Sequence, residues 1–229
     1  MKKWMKLMLL AVLPALVLTS CDDDDEDITI NDMAMVMVVH ASPDAPGVDL
    51  LVDNSKVNTT ALTYPNNTPY LEVESGRRNI KVNAAGTSTS VIDANLDLDA
   101  NTNYSVFAAN TLSAIEPVVL EDDLTTPAAG KAHIRFVHLS PDAPAVDIAV
   151  TNGPVLFSNR TFKSATAFTP VDAGTYNLEV RLAGTNTVVL PLPNVQVANG
   201  RIYTVFAKGF VAPPSGNTNS LGAQIIANN

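Results

Sequence analysis

The residues best placed to do chemistry lie in two similar ten-residue segments, which we call the corner motifs. The first runs from His40 to Asp49. The second runs from His138 to Asp147, 98 residues later, with eight of the ten positions identical. Their polar residues are His40, Ser42, Asp44, Asp49, His138, Ser140, Asp142 and Asp147. An imidazole beside two carboxylates could bind a divalent cation or another ligand.

A structural role is the alternative that we favour for these residues. Proline fixes φ, and an aspartate next to proline forms turns by bonding to nearby backbone. A lone histidine in an apolar strand is usually a hydrogen-bonded core residue. Ser42 with His40 and Asp44 resembles a nucleophile set, but the three lie within five residues, whereas a triad is assembled from separate elements. We therefore predict no enzyme, no catalytic residue, no metal ligand and no cofactor.

Other patterns give weaker indications of a site. The segment from Asp93 to Asn101 imitates a calcium loop, but Leu98 and Tyr104 stand where the EF-hand needs glycine and glutamate, so we predict an exposed acidic strand. By counting, its second-repeat counterparts are Pro191, Pro193, Val195 and Val197. Aromatic residues that could stack on a sugar are Tyr64, Tyr70 and Phe210. Those expected in the core are Tyr104, Phe107, Tyr203 and Phe206.

The charge of the chain argues against a nucleic-acid partner. The formal net charge is −9, with 23 acidic and 14 basic residues. Removal of the first 20 residues would take away three lysines and leave −12. Affinity for a phosphate backbone comes mainly from Lys and Arg, so we predict no nucleic-acid binding.

The N-terminal segment has the features of a lipoprotein signal peptide. Three lysines precede an apolar run from Leu7 to Leu18, which is too short for an ordinary membrane span. The run ends in Leu18-Thr19-Ser20-Cys21, which resembles the bacterial lipobox. Cys21 is the only cysteine, so it forms no internal disulfide. We predict acylation at Cys21 and attachment to the membrane through the lipid; the alternative is a free thiol after an ordinary signal peptide.

An acidic run, Asp22 to Asp27, follows the cysteine directly. Six like charges do not pack, so the run is expected to be a solvated tether. It looks like the export signal of some Gram-negative surface lipoproteins, which predicts an outer-membrane, surface-exposed location. A charged spacer without an address function is the alternative.

The repeat extends well beyond the corner motifs and predicts two β-rich halves. Strands are predicted over residues 35–41, 48–52, 90–98, 132–139, 146–150, 188–197 and 223–227. Alternation predicts that His40 and His138 point inward, whereas His133 and Arg135 mark the other face of their strand as partly solvent-exposed. Spacing grows from 98 to 99 late in the repeat, which indicates one inserted residue near Gly200.

Short strands with turn residues between them and no helical period predict an all-β chain of two tandem immunoglobulin-like antiparallel β-sandwiches. Small β-barrels are the alternative. The predicted divisions are a signal peptide, a lipidated cysteine with its tether, repeat 1, a linker and repeat 2, over residues 1–20, 21–33, 34–126, 127–130 and 131–229.

The string Val-Val-His-Ala-Ser-Pro-Asp-Ala-Pro-x-Val-Asp resembles the hallmark of the bacterial domain-of-unknown-function family forty-three ninety-seven. The resemblance covers about residues 34–212, and repeat 1 departs only at Gly47, where repeat 2 has Ala145. It implies tandem β-rich domains outside the cytoplasm and carries no activity. We accordingly predict a non-catalytic surface lipoprotein with structural, adhesive or accessory binding roles. The alternative is a lipoprotein that captures a ligand, glycan or metal, with its protein or glycan partner unknown.

Overall fold

Strands form where β-branched and aromatic residues stand between Gly, Asn and Pro turns. The structure is a computed structural model that describes residues 32–229. The predicted signal peptide, Cys21 and the acidic run lie outside the described residues. Repeat 1 contains β1 (Met33–His40), β2 (Val48–Val52), β3 (Ser55–Lys56), β4 (Leu71–Glu74), β5 (Gly76–Ala84), β6 (Ser90–Leu98), β7 (Asn103–Ala109), a short 3-10 helix (Leu112–Ala114) and β8 (Glu116–Glu121). Repeat 2 contains β9 (Lys131–His138), β10 (Val146–Val150), β11 (Val155–Arg160), β12 (Thr169–Asp172), β13 (Gly174–Leu182), β14 (Val188–Val197), β15 (Ile202–Lys208) and β16 (Gly222–Ala227).

Each repeat is a sandwich of two four-stranded sheets. In repeat 1 the sheets have the orders β4-β1-β7-β8 and β3-β2-β5-β6, and repeat 2 repeats this arrangement as β12-β9-β15-β16 and β11-β10-β13-β14. One pair per repeat is parallel, β1 with β7 and β9 with β15, and the other pairs are antiparallel. The predicted tandem sandwich is confirmed, and neither repeat of the described chain closes into the small barrel that was the alternative.

The bounds of several strands follow the sequence closely. The strands Val48–Val52, Val146–Val150, Ser90–Leu98 and Val188–Val197 lie where they were predicted. Strands β8 and β11 were not predicted, because they lie in segments without clear alternation. The predicted linker 127–130 falls between the end of β8 and the start of β9, and the domain bounds themselves stay predictions.

The inserted residue of repeat 2 lies in β14, so its predicted place near Gly200 was wrong. The pair Leu178–Leu192 lies 98 residues after its equivalent in repeat 1, Ile80–Ala94. The equivalent of Gly76–Leu98 is Gly174–Val197, in which the second residue lies 99 residues later. The extra residue is at Asn194, which has φ of 58° and forms a bulge. Val195 is therefore buried in the core and is not the structural equivalent of the exposed Asp97, as counting by 98 residues had indicated.

The two sandwiches pack through their inner sheets, β4-β1-β7-β8 and β12-β9-β15-β16. One apolar cluster fills each sandwich, and a third lies between the two inner sheets. That central cluster contains Met37, Val39, Ala41, Phe107, Ala109, Val137, Leu139, Phe206 and Ile226. Because β1 and β9 are covered on both faces, their apolar runs need no alternation.

The central cluster corrects the prediction that the second face of β9 meets solvent. Arg135 on that face is only 2% exposed, and Val137 beside it is fully buried. His133 is half-buried. Polar residues here mark a buried contact between repeats.

The described residues contain no helix long and apolar enough to span a bilayer.

Candidate functional site

The imidazoles of the corner motifs are buried at the ends of β1 and β9, as predicted. Nε2 of His40 lies 2.8 Å from the Pro46 carbonyl oxygen, and Nε2 of His138 lies 3.1 Å from that of Pro144. A carbonyl only accepts, so Nε2 carries the proton. Burial lowers the pKa of both histidines below 6.5, although the two carbonyls oppose the shift. Each neutral ring therefore closes its own corner.

The first aspartate of each motif ties the corner to the loop after β7 or β15. Oδ1 of Asp44 accepts a hydrogen bond from the Leu112 backbone N–H at 2.8 Å. Asp142 accepts two, from the N–H groups of Val211 and Ala212 at 2.8 and 2.9 Å. These carboxylates satisfy backbone donors that would otherwise lack partners in the fold.

The second aspartate of each motif holds the hairpin turn that joins a central strand to the neighbouring edge strand, β5 to β6 in repeat 1 and β13 to β14 in repeat 2. Asp49 accepts from the Gly86 N–H at 2.9 Å and lies 2.8 Å from the Lys56 ammonium. The hydrogen bond from Lys56 and then the one from Gly86 lower the pKa of Asp49. Asp147 accepts from the N–H groups of Gly184 at 2.9 Å and Asn159 at 2.6 Å.

The serines are buried inside the corners. Ser140 Oγ donates to the Gly209 carbonyl at 2.6 Å, and Ser42 Oγ donates to Asp44 Oδ1 at 3.4 Å. Gly209 has φ of 77°, and a Cβ there would lie 2.2 Å from the Ser220 carbonyl oxygen, so only glycine fits beside the second corner. Neither hydroxyl is hydrogen-bonded to an imidazole.

The four polar residues of each corner are close in sequence but, apart from Ser42 and Asp44, they are not hydrogen-bonded to each other. Among residues 32–229 no three His, Cys, Asp or Glu side chains converge as metal ligands. The contacts can orient turns and close the ends of the sandwiches. That these residues also bind a ligand stays a prediction.

An apolar pocket of about 440 Å³ lies beside the second corner, between the two sheets of sandwich 2. Its volume is in the range of small-molecule sites. Its lining comprises His138, Ala143, Pro144, Val146, Val180, Leu182, Val189, Leu190, Ala207, Val211, Ser220 and Leu221. At its rim, Val189 and Val211 are 36% and 53% exposed.

This pocket was not predicted from the sequence, although one difference between the repeats points to it. The exposed strand of repeat 1 reads Val91-Ile92-Asp93-Ala94-Asn95, with polar residues at alternate positions. The matching part of β14 reads Val189-Leu190-Pro191-Leu192-Pro193, with no polar residue. An edge strand without polar positions indicates an apolar surface.

A buried polar cluster between the inner sheets was also missed. Nη1 of Arg135 lies 2.6 Å from Oδ1 of Asp122, and both side chains are almost fully buried. Tyr70 donates to Oδ2 of Asp122 at 2.5 Å and accepts from the Asn228 amide at 3.0 Å. Burial, and then the Asp122 charge, raise the pKa of Tyr70. The guanidinium also lies over the Phe168 ring, 4.5 Å from its centroid.

The aromatic residues named for sugar stacking do not form a platform. Phe210 is buried, and Tyr70 is engaged with Asp122. The rings of Tyr64 and His40 pack in a T-shaped arrangement with their centroids 6.1 Å apart, and burial raises the pKa of Tyr64 to about 12. The predicted calcium-loop mimic lies in strand β6 as far as Leu98 and in the turn that follows. Asp93 is exposed there, and its Oδ2 lies 3.6 Å from Nζ of Lys81.

Comparison with known proteins gives a match to a family model and likenesses to solved structures. A family model described as Domain of unknown function (DUF4397) matches residues 34–149 and 149–229. No curated protein matches the chain. Among solved structures, the chain is similar to CBMbc, a family CBM26 module from Eubacterium rectale Amy13K in complex with maltoheptaose. The identity is 10%, the match covers 84% of this chain and 96% of that chain, and the TM-score is 0.29.

Proposed function

The chain belongs to the DUF4397 family of domains of unknown function, and we propose that it is a non-catalytic, lipid-anchored protein of the cell surface. Its two sandwiches serve a structural, adhesive or accessory binding role. The observation that carries the proposal is that the polar residues of both corner motifs are hydrogen-bonded within their own repeat. Polar side chains that stabilise equivalent turns in both repeats support a structural role rather than a catalytic one.

The leader supports the anchoring part of the proposal. Cys21 follows a basic and then an apolar segment, and it lies 11 residues before the first described residue. A single acyl chain gives only reversible membrane binding, whereas two or more give stable attachment. Lipidation at Cys21 would therefore hold both sandwiches at a membrane by a short acidic tether.

Cys21→Ser in the full chain tests the anchor. We expect the wild-type protein in the membrane fraction and the variant in the soluble fraction, measured by immunoblotting after cell fractionation. Ser88→Ala, in the hairpin turn before β6, is the matched control and should stay with the membrane. Equal membrane partition of Cys21→Ser and wild type would reject the anchor.

Changing the six acidic residues 22–27 to their amides tests the surface location. The variant should keep its lipid but lose accessibility to protease added to intact cells. If protease reaches wild type and variant equally, the acidic run is a spacer. If it reaches neither, the surface location is wrong.

Ligand capture is a second candidate, favoured by the apolar pocket beside His138. Its walls are matched to a small apolar molecule or acyl chain, with His138 and Ser220 as its polar groups. Ala143→Phe would fill the pocket from the corner, and Ala45→Phe makes the same change in the first corner. We expect an apolar fluorescent probe to bind wild type and Ala45→Phe and to lose affinity for Ala143→Phe. A wild-type protein that binds no probe, or a probe indifferent to Ala143→Phe, would reject this candidate.

A further inference from the structure

The two inner sheets meet through equivalent positions of the two repeats. Phe107 of β7 and Phe206 of β15 occupy the same place in their sandwiches, and their rings contact each other edge to face, with centroids 5.9 Å apart. A contact between equivalent residues is the mark of a two-fold interface. The repeats therefore pack as the two halves of a symmetric dimer would.

The hydrogen bonds around this contact repeat the same symmetry. Ser105 Oγ donates to Asp122 Oδ2 at 2.6 Å, and Thr204 Oγ1, its equivalent, donates to Asn228 Oδ1 at 2.8 Å. Asp122 and Asn228 are equivalent because each directly follows the strand that pairs with β7 or β15. Both acceptors are buried.

Charge breaks the symmetry at two positions. Repeat 1 has Met37 where repeat 2 has Arg135, and it has Asp122 where repeat 2 has Asn228. Arg135 reaches across the interface, donating to Ser105 Oγ of repeat 1 and Thr204 Oγ1 of repeat 2, both at 2.8 Å. The buried part of the interface thus holds one cation and one anion, each supplied by a different repeat. A second pair between the repeats, Lys163 with Glu116, is 41% exposed at both side chains.

Pairing of like repeats between two chains would lose this complementarity. Two first repeats would bring two copies of Asp122 together without an arginine, and two second repeats would bring two copies of Arg135 without an aspartate. A buried charge without its counter-ion is strongly unfavourable. We propose that the Arg135–Asp122 pair directs the two repeats of one chain to pack on each other and excludes the pairing of like repeats from two chains.

The test uses the full chain with Cys21→Ser as a common background, so that no acyl group affects association. The variants are Asp122→Asn, Arg135→Met and the two combined. Each substitution installs the residue type that the other repeat already carries at that position. The double variant therefore has no charged residue in the buried part of the interface, and it keeps the partly exposed Lys163–Glu116 pair that also joins the repeats.

Each single variant should lower the Tm by about 6–20 °C, because it leaves one buried charge unpaired. The double variant should recover at least half of the summed loss. After unfolding and refolding at high protein concentration, it should also form discrete dimers with native strand content, whereas wild type stays monomeric. Calorimetry, light scattering after size exclusion and circular dichroism give these readouts.

Lys131→Met with Asp172→Asn is the matched control, because it removes an ion pair that is 41% and 78% exposed. It should shift the Tm by no more than about 4 °C and leave a monomer. A double interface variant that stays monomeric, aggregates without native structure or fails to fold would overturn the proposal. Single variants that behave like the control would overturn it as well.

Discussion

At the scale of single residues, the histidine and the second aspartate of the corner motif make the same contact in both repeats, whereas the two serines donate to different acceptors. His40 and His138 each close a corner through a carbonyl six residues along, and each is fully buried. Asp49 and Asp147 each hold the N–H of a glycine in a hairpin turn. The sequence predicted the inward histidines, because strand alternation is a local constraint. It also predicted that Asp44 and Asp142 bond to nearby backbone, whereas the backbone donors they accept from belong to Leu112, Val211 and Ala212, far along the chain.

The corner histidines should make stability depend on pH. Burial lowers their folded-state pKa below the ordinary 6.5, so the unfolded chain binds more protons than the folded chain as pH falls through 6.5. The free energy of unfolding should be greatest above pH 6.5. It should decline below that value by at most about 1.4 kcal/mol per pH unit for each histidine, until the folded-state pKa is passed.

Urea denaturation between pH 7.5 and 5.5 measures this dependence. The combined variant His40→Gln, His138→Gln should give a flatter profile than wild type, because it removes the two titrating groups. A wild-type protein equally stable at both ends of this range would contradict the prediction.

At the scale of elements, strands β6 and β14 show how equivalent edges diverge. β6 keeps alternation, with Asp93 and Asp97 exposed, whereas β14 has apolar residues and prolines and a bulge at Asn194. Proline on an edge strand blocks pairing with another chain. Counting residues placed the insertion elsewhere, because a one-residue bulge leaves no composition signature in a strand.

The bulge predicts a specific tolerance at Asn194. Its φ of 58° suits asparagine or glycine and strains a β-branched residue. Asn194→Gly should change the free energy of unfolding little, whereas Asn194→Val should reduce it by about 1–3 kcal/mol. Asn95→Val in β6, an exposed strand position outside the positive-φ set, is the control and should be tolerated. Urea titration gives the comparison, and equal stability of all three variants would contradict it.

At the scale of the whole molecule, the two sandwiches share an apolar cluster and a buried ion pair. The repeat predicted two sandwiches but not their contact. Arg135 looked like a solvent-facing residue, because alternation shows that two faces differ without showing what covers each face. Its partner Asp122 lies in the connection after β8, where no local pattern marks it.

The shared cluster predicts that the repeats unfold together. Phe206→Ala should lower the free energy of unfolding by about 3–5 kcal/mol, since it removes a fully buried ring from the contact between the sandwiches. Hydrogen exchange should rise in the central strands of both repeats, β5 as well as β13. Faster exchange confined to repeat 2 would show that the sandwiches are independent.

The sequence by itself determined the duplicated all-β architecture, the inward histidines and the turns, because these follow from strand alternation, proline geometry and the 98-residue spacing of the two repeats. Only the tertiary structure decided what the second face of β9 touches, where the extra residue of β14 lies and which charges meet in the interior. Those features depend on residues far apart in the chain, such as Arg135 and Asp122, whose proximity is a property of how sheets stack and leaves no trace in local sequence.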